Sequence, residues 1–246
     1  MKPRIVRAKD RMEHWSGPFR IWRSYPGRFL PKTRDTGLGA LGCVDHASLM
    51  PGLRVPMHTH QDDEIFSYLR EGALTHTDSL GRRLILDARH PLMMNAGSGL
   101  AHEEHIPDGS PPVRMLQIFV RPTVAGLPPT LQYGELDTAE SRNQWRLLAG
   151  PEGSEAPFHF RNAVTFHDLY LEHATLPPPP AMVHEIRWLY VFSGHVTMGE
   201  DTLATGDAVL LDAAGEVSLV AKEAAQLVCF HCDQTAPSTR NGSLSG

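Results

Sequence analysis

The sequence predicts an all-β chain built as two related β-barrels, and three observations carry that prediction. Apolar runs are short, of strand length, and alternate with turn residues. Twenty-one glycines and twenty prolines among 246 residues leave little room for long helices. One pattern of strand, glycine turn, strand and polar turn occurs twice, as in a chain holding two copies of one unit.

The first copy spans residues 65–81, IFSYLREGALTHTDSLG, and turns at Gly72. The second spans residues 188–201, WLYVFSGHVTMGED, and turns at Gly194. Each leads to a further strand and an Ala-Gly pair: Arg83-Leu84-Ile85-Leu86 before Ala96-Gly97, and Ala208-Val209-Leu210-Leu211-Asp212 before Ala214-Gly215. Residues 121–129 read as the close of the first barrel. The polar residues 138–146 read as a short helix or a loop. Pro177 to Pro180 form a stiff extended run ahead of the second copy. The expected division is a barrel over 1–125, a connecting segment over 126–160 and a second barrel over 161–246. At 41% hydrophobic residues, the chain can bury a sizeable core.

Composition narrows the function classes. A net charge of −5 and pI near 6.3 offer no basic face for nucleic acid. No apolar run is long enough to span a membrane, and residues 1–7 lack the apolar stretch of a signal peptide. Three cysteines make no disulfide scaffold, so a reducing cytoplasm is the expectation; the chain is also expected to be a monomer. Cys229 and Cys232 sit in a strand-like run, where residues three apart face opposite sides, which argues against a redox or zinc pair. Cys43 falls in an apolar strand and reads as core.

The chemistry concentrates at Met57-His58-Thr59-His60 and, farther on, Ala96-Gly97-Ser98-Gly99-Leu100-Ala101-His102-Glu103-Glu104. Side chains at i and i+2 of a strand share a face, so His58 can act with His60, and His102 with Glu104. Three imidazoles and a carboxylate suit iron, nickel, copper, manganese or zinc better than calcium or magnesium. Four protein ligands leave positions open for water or substrate, as a catalytic metal requires. A lone histidine is ordinarily a satisfied core or surface residue, and His14, His46, His159, His167, His173 and His195 are read that way. The second copy has lost the ligands. Counted from the shared glycine and the shared Ala-Gly, the four positions fall on Pro180, Met182, Val220 and Lys222. The first barrel therefore carries the chemistry, and the second is packing or a lid.

These residues resemble the pirin group of the cupin superfamily, which includes bacterial pirin-like quercetinases. The likeness runs through residues 37–41, Met50-Pro51-Gly52, the two histidines, Glu64, Tyr68, Glu71-Gly72, residues 76–81, Met94-Asn95-Ala96-Gly97-Ser98-Gly99 and His102-Glu103-Glu104. It implies a bicupin fold of two double-stranded β-helix (jelly-roll) barrels. It also implies one divalent metal, usually iron, held by His58, His60, His102 and Glu104. The family includes flavonol dioxygenases, a nuclear co-regulator of transcription, and members without an established activity. The chain departs from the family where His60 is followed by Gln61-Asp62-Asp63 instead of Arg and apolar residues. These acids are expected to change the charge at the mouth of the site. A Pro-Gly-Asp turn is replaced by Ala88-Arg89-His90, and the small residue within His-x-Glu by Glu103.

Strand parity extended from His58 puts Glu64, Phe66 and Tyr68 on the ligand side if no bulge intervenes. Glu64 is then a candidate fifth ligand or an orienting partner, against the plainer readings of a rim carboxylate and two core aromatics. His76 and Asp78 share parity. A half-exposed histidine beside a turn-stabilising aspartate is the favoured reading there. Glu103 points away from the site, and His105 has the wrong parity. Two function classes follow. The first is a dioxygenase of a flavonol or related aromatic enol, with Glu104 taking the substrate proton. The second is a non-catalytic, metal-bearing regulatory or ligand-binding module. Another cupin reaction, such as isomerisation, is a third option, since fold does not imply function.

Overall fold

In the computed structural model, strand Glu64–Glu71 turns at Gly72 into Leu74–Asp78, and Glu185–Ser193 turns at Gly194 into His195–Met198. Both glycines lie in the left-handed region, with φ of 72° and 80°. A Cβ at either position would meet a carbonyl oxygen, of Pro112 or Ala224, at 2.6 Å. Only glycine fits both the backbone angle and the close approach. The structure describes residues 3–31, 33–214 and 217–246, so Gly215 of the second Ala-Gly pair lies outside the described residues.

Each barrel combines a seven-stranded and a four-stranded sheet. The first large sheet runs, in spatial order, Thr130–Tyr133, Leu92–Asn95, Glu64–Glu71, Val113–Val120, Leu41–Leu49, Phe19–Ser24 and Met12–Ser16. Its small partner runs Arg54–His60, Leu100–His105, Leu74–Asp78 and Arg83–Leu86. The second barrel repeats the plan. Its large sheet centres on Glu185–Ser193, Ala225–Asp233 and Val164–Leu171, and its small sheet runs Ala174–Leu176, Leu219–Ala221, His195–Met198 and Asp201–Ala204. Residues 126–160 supply strands to both barrels: Thr130–Tyr133 to the first, Arg146–Pro151 and Phe158–Phe160 to the second. Thr138–Ser141 is a single 3₁₀ turn, capped by Asp137 on the Ala139 N–H.

The central strands of the two large sheets are buried on both faces. One face of each lines its own barrel, with Cys43, Ile65, Leu69 and Phe119 in the first and Leu189, Leu227 and Cys229 in the second. The opposite faces pack on each other through Phe66, Tyr68 and Ile118 against Phe166, Trp188 and Phe230. Burying one such aromatic stabilises by roughly 1.5–3 kcal/mol, so the shared core binds the barrels firmly. It also carries a satisfied polar contact. The Tyr68 hydroxyl donates to Asp168 Oδ2 at 2.8 Å, and Arg146 grips the same carboxylate through two N–H groups at 3.0 and 2.7 Å. Cys229 faces one core and Cys232 the other, as a strand demands.

This layout overturns the extended parity. The strand breaks at residues 61–63 and restarts as Glu64–Glu71 in the other sheet, with Asp62 at φ 49°. Phe66 and Tyr68 therefore face the second barrel, not the site. Glu64 faces that way too: its Oε2 accepts from the Asn95 side chain and from the Arg161 N–H at 3.1 Å. Those bonds lower its carboxyl, but burial dominates and pushes it up to about 7.

Both ends of the chain cross over. Arg4–Val6 pairs with Ala208–Asp212 in the second barrel, and residues 243–245 return to the first, bonding to Gln61 and Asp63.

Candidate metal centre

Strands Arg54–His60 and Leu100–His105 pair antiparallel, which sets His102 directly opposite His58 and Leu100 opposite His60. Between His102 and Glu104 the register slips, so that Glu104 stands opposite Val55. Two steps on one strand answer three on the other, which is a β-bulge at Pro56 and Met57. Proline suits that place because it has no N–H to contribute to the ladder.

Three imidazoles converge. Ring centroids lie 4.9 Å apart for His58 and His60, 4.4 Å for His58 and His102, and 5.2 Å for His60 and His102. One nitrogen from each falls within 4.8 Å of the others. His76, His102 and Glu104 form a second group by the same measure, sharing His102. Glu104 lines one cavity with His58 and His60, about 140 Å³ in volume, with Arg23, Asp45 and Leu244 among its other walls. The Arg23 guanidinium is held by Asp45 through two N–H bonds at 2.7 and 2.6 Å.

Neighbouring acceptors settle the tautomers. His58 Nδ1 lies 2.9 Å from the Pro56 carbonyl oxygen, which can only accept. The proton is therefore on Nδ1, and Nε2 keeps its lone pair. His76 Nε2 lies 3.3 Å from Asp78 Oδ2, and His76 Nδ1 lies 3.3 Å from His102 Nδ1. Burial lowers the His76 pKa, outweighing Asp78, so the ring is neutral. A neutral ring that donates from Nε2 to Asp78 must accept at Nδ1. His102 then donates from Nδ1 and keeps its lone pair on Nε2. That Nε2 is buried with no hydrogen-bond partner among the described residues, and so is Glu104 Oε1. His60 Nδ1 lies 3.4 Å from Asp63 Oδ2, off the line of a hydrogen bond.

Burial shapes the electrostatics. It pushes His102 down to about 2, helped by His58, His76 and His60, and it lowers His58. It pushes the Glu104 carboxyl up to about 7. Neutral imidazoles keep their lone pairs at ordinary pH, and a partnerless buried carboxyl is costly until a cation or proton meets it. The donor set and its orphaned atoms fit a divalent transition metal.

Several sequence expectations change here. Glu64 is in neither cluster. The carboxylate beside His60 is Asp63, and His76 is fully buried, not half-exposed. The parity of His76 with Asp78 was the available signal for the latter. Asp62 and Asp63 add no charge at the mouth, because both are buried and bind backbone N–H groups. Asp62 Oδ1 accepts from Gly126 at 2.6 Å, and Asp63 from Leu244 and Ser245. Asp87 builds the turn at Ala88-Arg89-His90, accepting from the Arg89 and His90 N–H groups at 2.8 and 2.9 Å. Glu103 and His105 are partly exposed and outside both clusters.

The second barrel differs at the equivalent place. Glu104 stands opposite His76 in the first barrel, and Leu219 stands opposite Met198 in the second. Leu219, not Lys222, thus takes the carboxylate's position. His167 and His231 do lie close there, with ring centroids 5.0 Å apart and planes tilted by 37°. Among the described residues, however, both groups of three metal-capable side chains lie in the first barrel.

Two jelly-roll barrels packed sheet to sheet, with a histidine-rich cavity in the first, define a bicupin. The chain belongs to the pirin family of the cupin superfamily. The family model for Pirin matches residues 32–120. A Zymomonas mobilis protein provisionally named quercetin 2,3-dioxygenase is 32% identical over 193 residues, covering 77% of this chain and 81% of that one. Quercetin 2,3-dioxygenase of Escherichia coli K12 is 24% identical over 231 residues, covering 92% and 96%. The crystal structure of Escherichia coli YhhW matches with a TM-score of 0.81 at 21% identity, over 94% of this chain and 97% of that one. The structure of that bacterial pirin in complex with nickel(II) matches with a TM-score of 0.79 at 20% identity, over 94% and 99%.

Proposed function

We propose that this chain is a metal-dependent dioxygenase of a flavonol or related aromatic enol, with His58, His60, His102 and Glu104 as the metal ligands. The observation that carries the reading is the convergence of the His58, His60 and His102 imidazoles, with the buried Glu104 grouped with His102 and lining one cavity with His58 and His60, and with His60 Nδ1, His102 Nε2 and Glu104 Oε1 buried without a hydrogen-bond partner among the described residues. A bound divalent transition metal supplies positive charge that favours deprotonated substrate oxygens, together with access to dioxygen chemistry. Iron is the family's usual ion, and nickel, copper, manganese and zinc suit the same donors.

The chain's own residues do the rest. His58 and His102 are locked in the tautomers that present Nε2, by the Pro56 carbonyl and by His76 with Asp78. Glu104 accepts the enol proton at a carboxylate oxygen, as a general base within reach of the substrate. The apolar walls Phe19, Ile21, Leu49 and Met115 exclude water around an aromatic ring.

Aerobic incubation of the metal-loaded protein with a panel of flavonols and single-ring aromatic enols tests the proposal. The expected outcome is loss of the ultraviolet band of at least one member of the panel with matching dioxygen uptake. No uptake with any member of the panel, from protein with a full metal complement, would replace the enzyme with the regulatory or ligand-binding module.

A further inference from the structure

The cavity has a wall that comes from the far end of the chain. Leu244 lines it alongside His58, His60 and Glu104. It arrives on a strap, residues 243–245, that leaves the second barrel and lies across the turn after His60. The strap is fastened to Gln61 and Asp63, two of the positions where this chain departs from the pirin pattern. Ser243 and Gln61 exchange backbone and side-chain bonds: Gln61 N–H to Ser243 Oγ at 2.7 Å, and Ser243 N–H to the Gln61 carbonyl at 3.0 Å. Asp63, fully buried, accepts from the Leu244 N–H at 3.1 Å, the Ser245 N–H at 2.9 Å and the Ser245 hydroxyl at 2.6 Å. The buried Arg121 guanidinium donates to the Ser245 carbonyl at 2.5 Å. A buried carboxylate meeting three donors is a strong fastening, and losing such partners is costly.

Size gives the strap its consequence. The cavity holds about 140 Å³, whereas pockets for drug-sized ligands run from about 300 to 1,000 Å³. A cavity of about 150 Å³ takes one benzene ring. An ion at the histidines would only reduce the space. One ring with adjacent oxygens matches that volume, and a three-ring flavonol exceeds it.

We propose that Leu244 is a specificity-determining residue, held in place by Asp63, that restricts this site to single-ring aromatic enediols and excludes flavonols while the strap is seated. The proposal rests on the reading of this cavity as the substrate site. It narrows that reading to a substrate class.

Anaerobic binding to nickel(II)-loaded protein provides the test, with catechol and quercetin as probes and tryptophan fluorescence as the readout. Wild type should bind catechol at least tenfold more tightly than quercetin. Leu244→Ala should strengthen quercetin binding at least tenfold and change catechol binding less than threefold. Asp63→Ala, which frees the strap by another route, should move quercetin in the same direction. Faster hydrogen exchange at residues 243–245 should accompany it. Leu244→Met, which keeps the volume, should behave as wild type and so controls for loss of folding. Quercetin binding as tightly as catechol in wild type overturns the proposal. So does catechol binding in wild type with no gain for quercetin in either Leu244→Ala or Asp63→Ala. If neither probe binds any variant while nickel is retained, the substrate-site reading itself falls, and the inference with it.

Discussion

His76 Nδ1 lies 3.3 Å from His102 Nδ1, and this contact decides which nitrogen of His102 faces the cluster. The strands bring them together by register, with His102 opposite Asp78 and His76 opposite Glu104. Asp78 accepts a hydrogen bond from His76 Nε2, His76 Nδ1 accepts in turn from His102 Nδ1, and His102 Nε2 is left with a lone pair and no hydrogen-bond partner among the described residues. The chain from carboxylate to imidazole to imidazole is a way of fixing a ligand's tautomer with residues that need not touch the ion.

His76→Ala and Asp78→Asn should each weaken metal binding by roughly 10- to 100-fold, because the His102 tautomer is no longer fixed. Competition titration against a chromophoric chelator measures this, with circular dichroism to confirm the fold. Wild-type affinity in both variants would show that the relay does not govern His102.

Metal content should approach one equivalent per chain by elemental analysis. His58→Ala or His102→Ala should abolish it. Glu64→Gln should leave it unchanged because Glu64 faces the second barrel. His231→Ala should also leave it unchanged, since His231 belongs to neither group of three. A second equivalent that disappears with His231 would place an ion beside His167.

Glu104→Gln keeps the side chain's shape and an oxygen donor but removes its basicity. Turnover of any accepted enol should fall by about 100- to 10,000-fold, well beyond the fall in metal occupancy. Equal losses in both would make Glu104 a ligand only.

Acid should destabilise the barrel interface through His46. Burial pushes this imidazole from 6.5 down to about 3, with Arg11 and Arg114 adding to the effect. Its Nδ1 is bonded to the Tyr190 hydroxyl at 2.8 Å. Between those values the unfolded chain binds a proton that the folded chain refuses. The His46 contribution is therefore present above pH 6.5 and is lost as pH falls toward 3. Denaturant unfolding from pH 7 to pH 4 should show a shallower loss of stability in His46→Gln than in wild type. Parallel curves would assign the acid sensitivity to other groups.

Much of the site was legible because its rule is local. A strand alternates faces whatever surrounds it, so His58 with His60, and His102 with Glu104, followed from spacing alone. The same locality made the doubled strand–glycine–strand pattern readable, since a left-handed turn pressed against a neighbouring carbonyl accepts only glycine. Parity failed where the chain left its strand. The turn at residues 61–63 moved Glu64, Phe66 and Tyr68 to the face that meets the second barrel. A turn of that kind is fixed by what its side chains reach, and here they reach the Gly126 N–H and residues 243–245. The partners that complete the cavity are likewise remote in sequence. His76 meets His102 across 26 positions, and Asp63 meets Ser245 across 182. Sequence by itself determined which side chains share a strand face, because that is a property of one backbone segment. Tertiary structure alone decided which nitrogen His58 and His102 present, which acid is buried and which remote residue lines the cavity, because those depend on partners that only folding brings within reach.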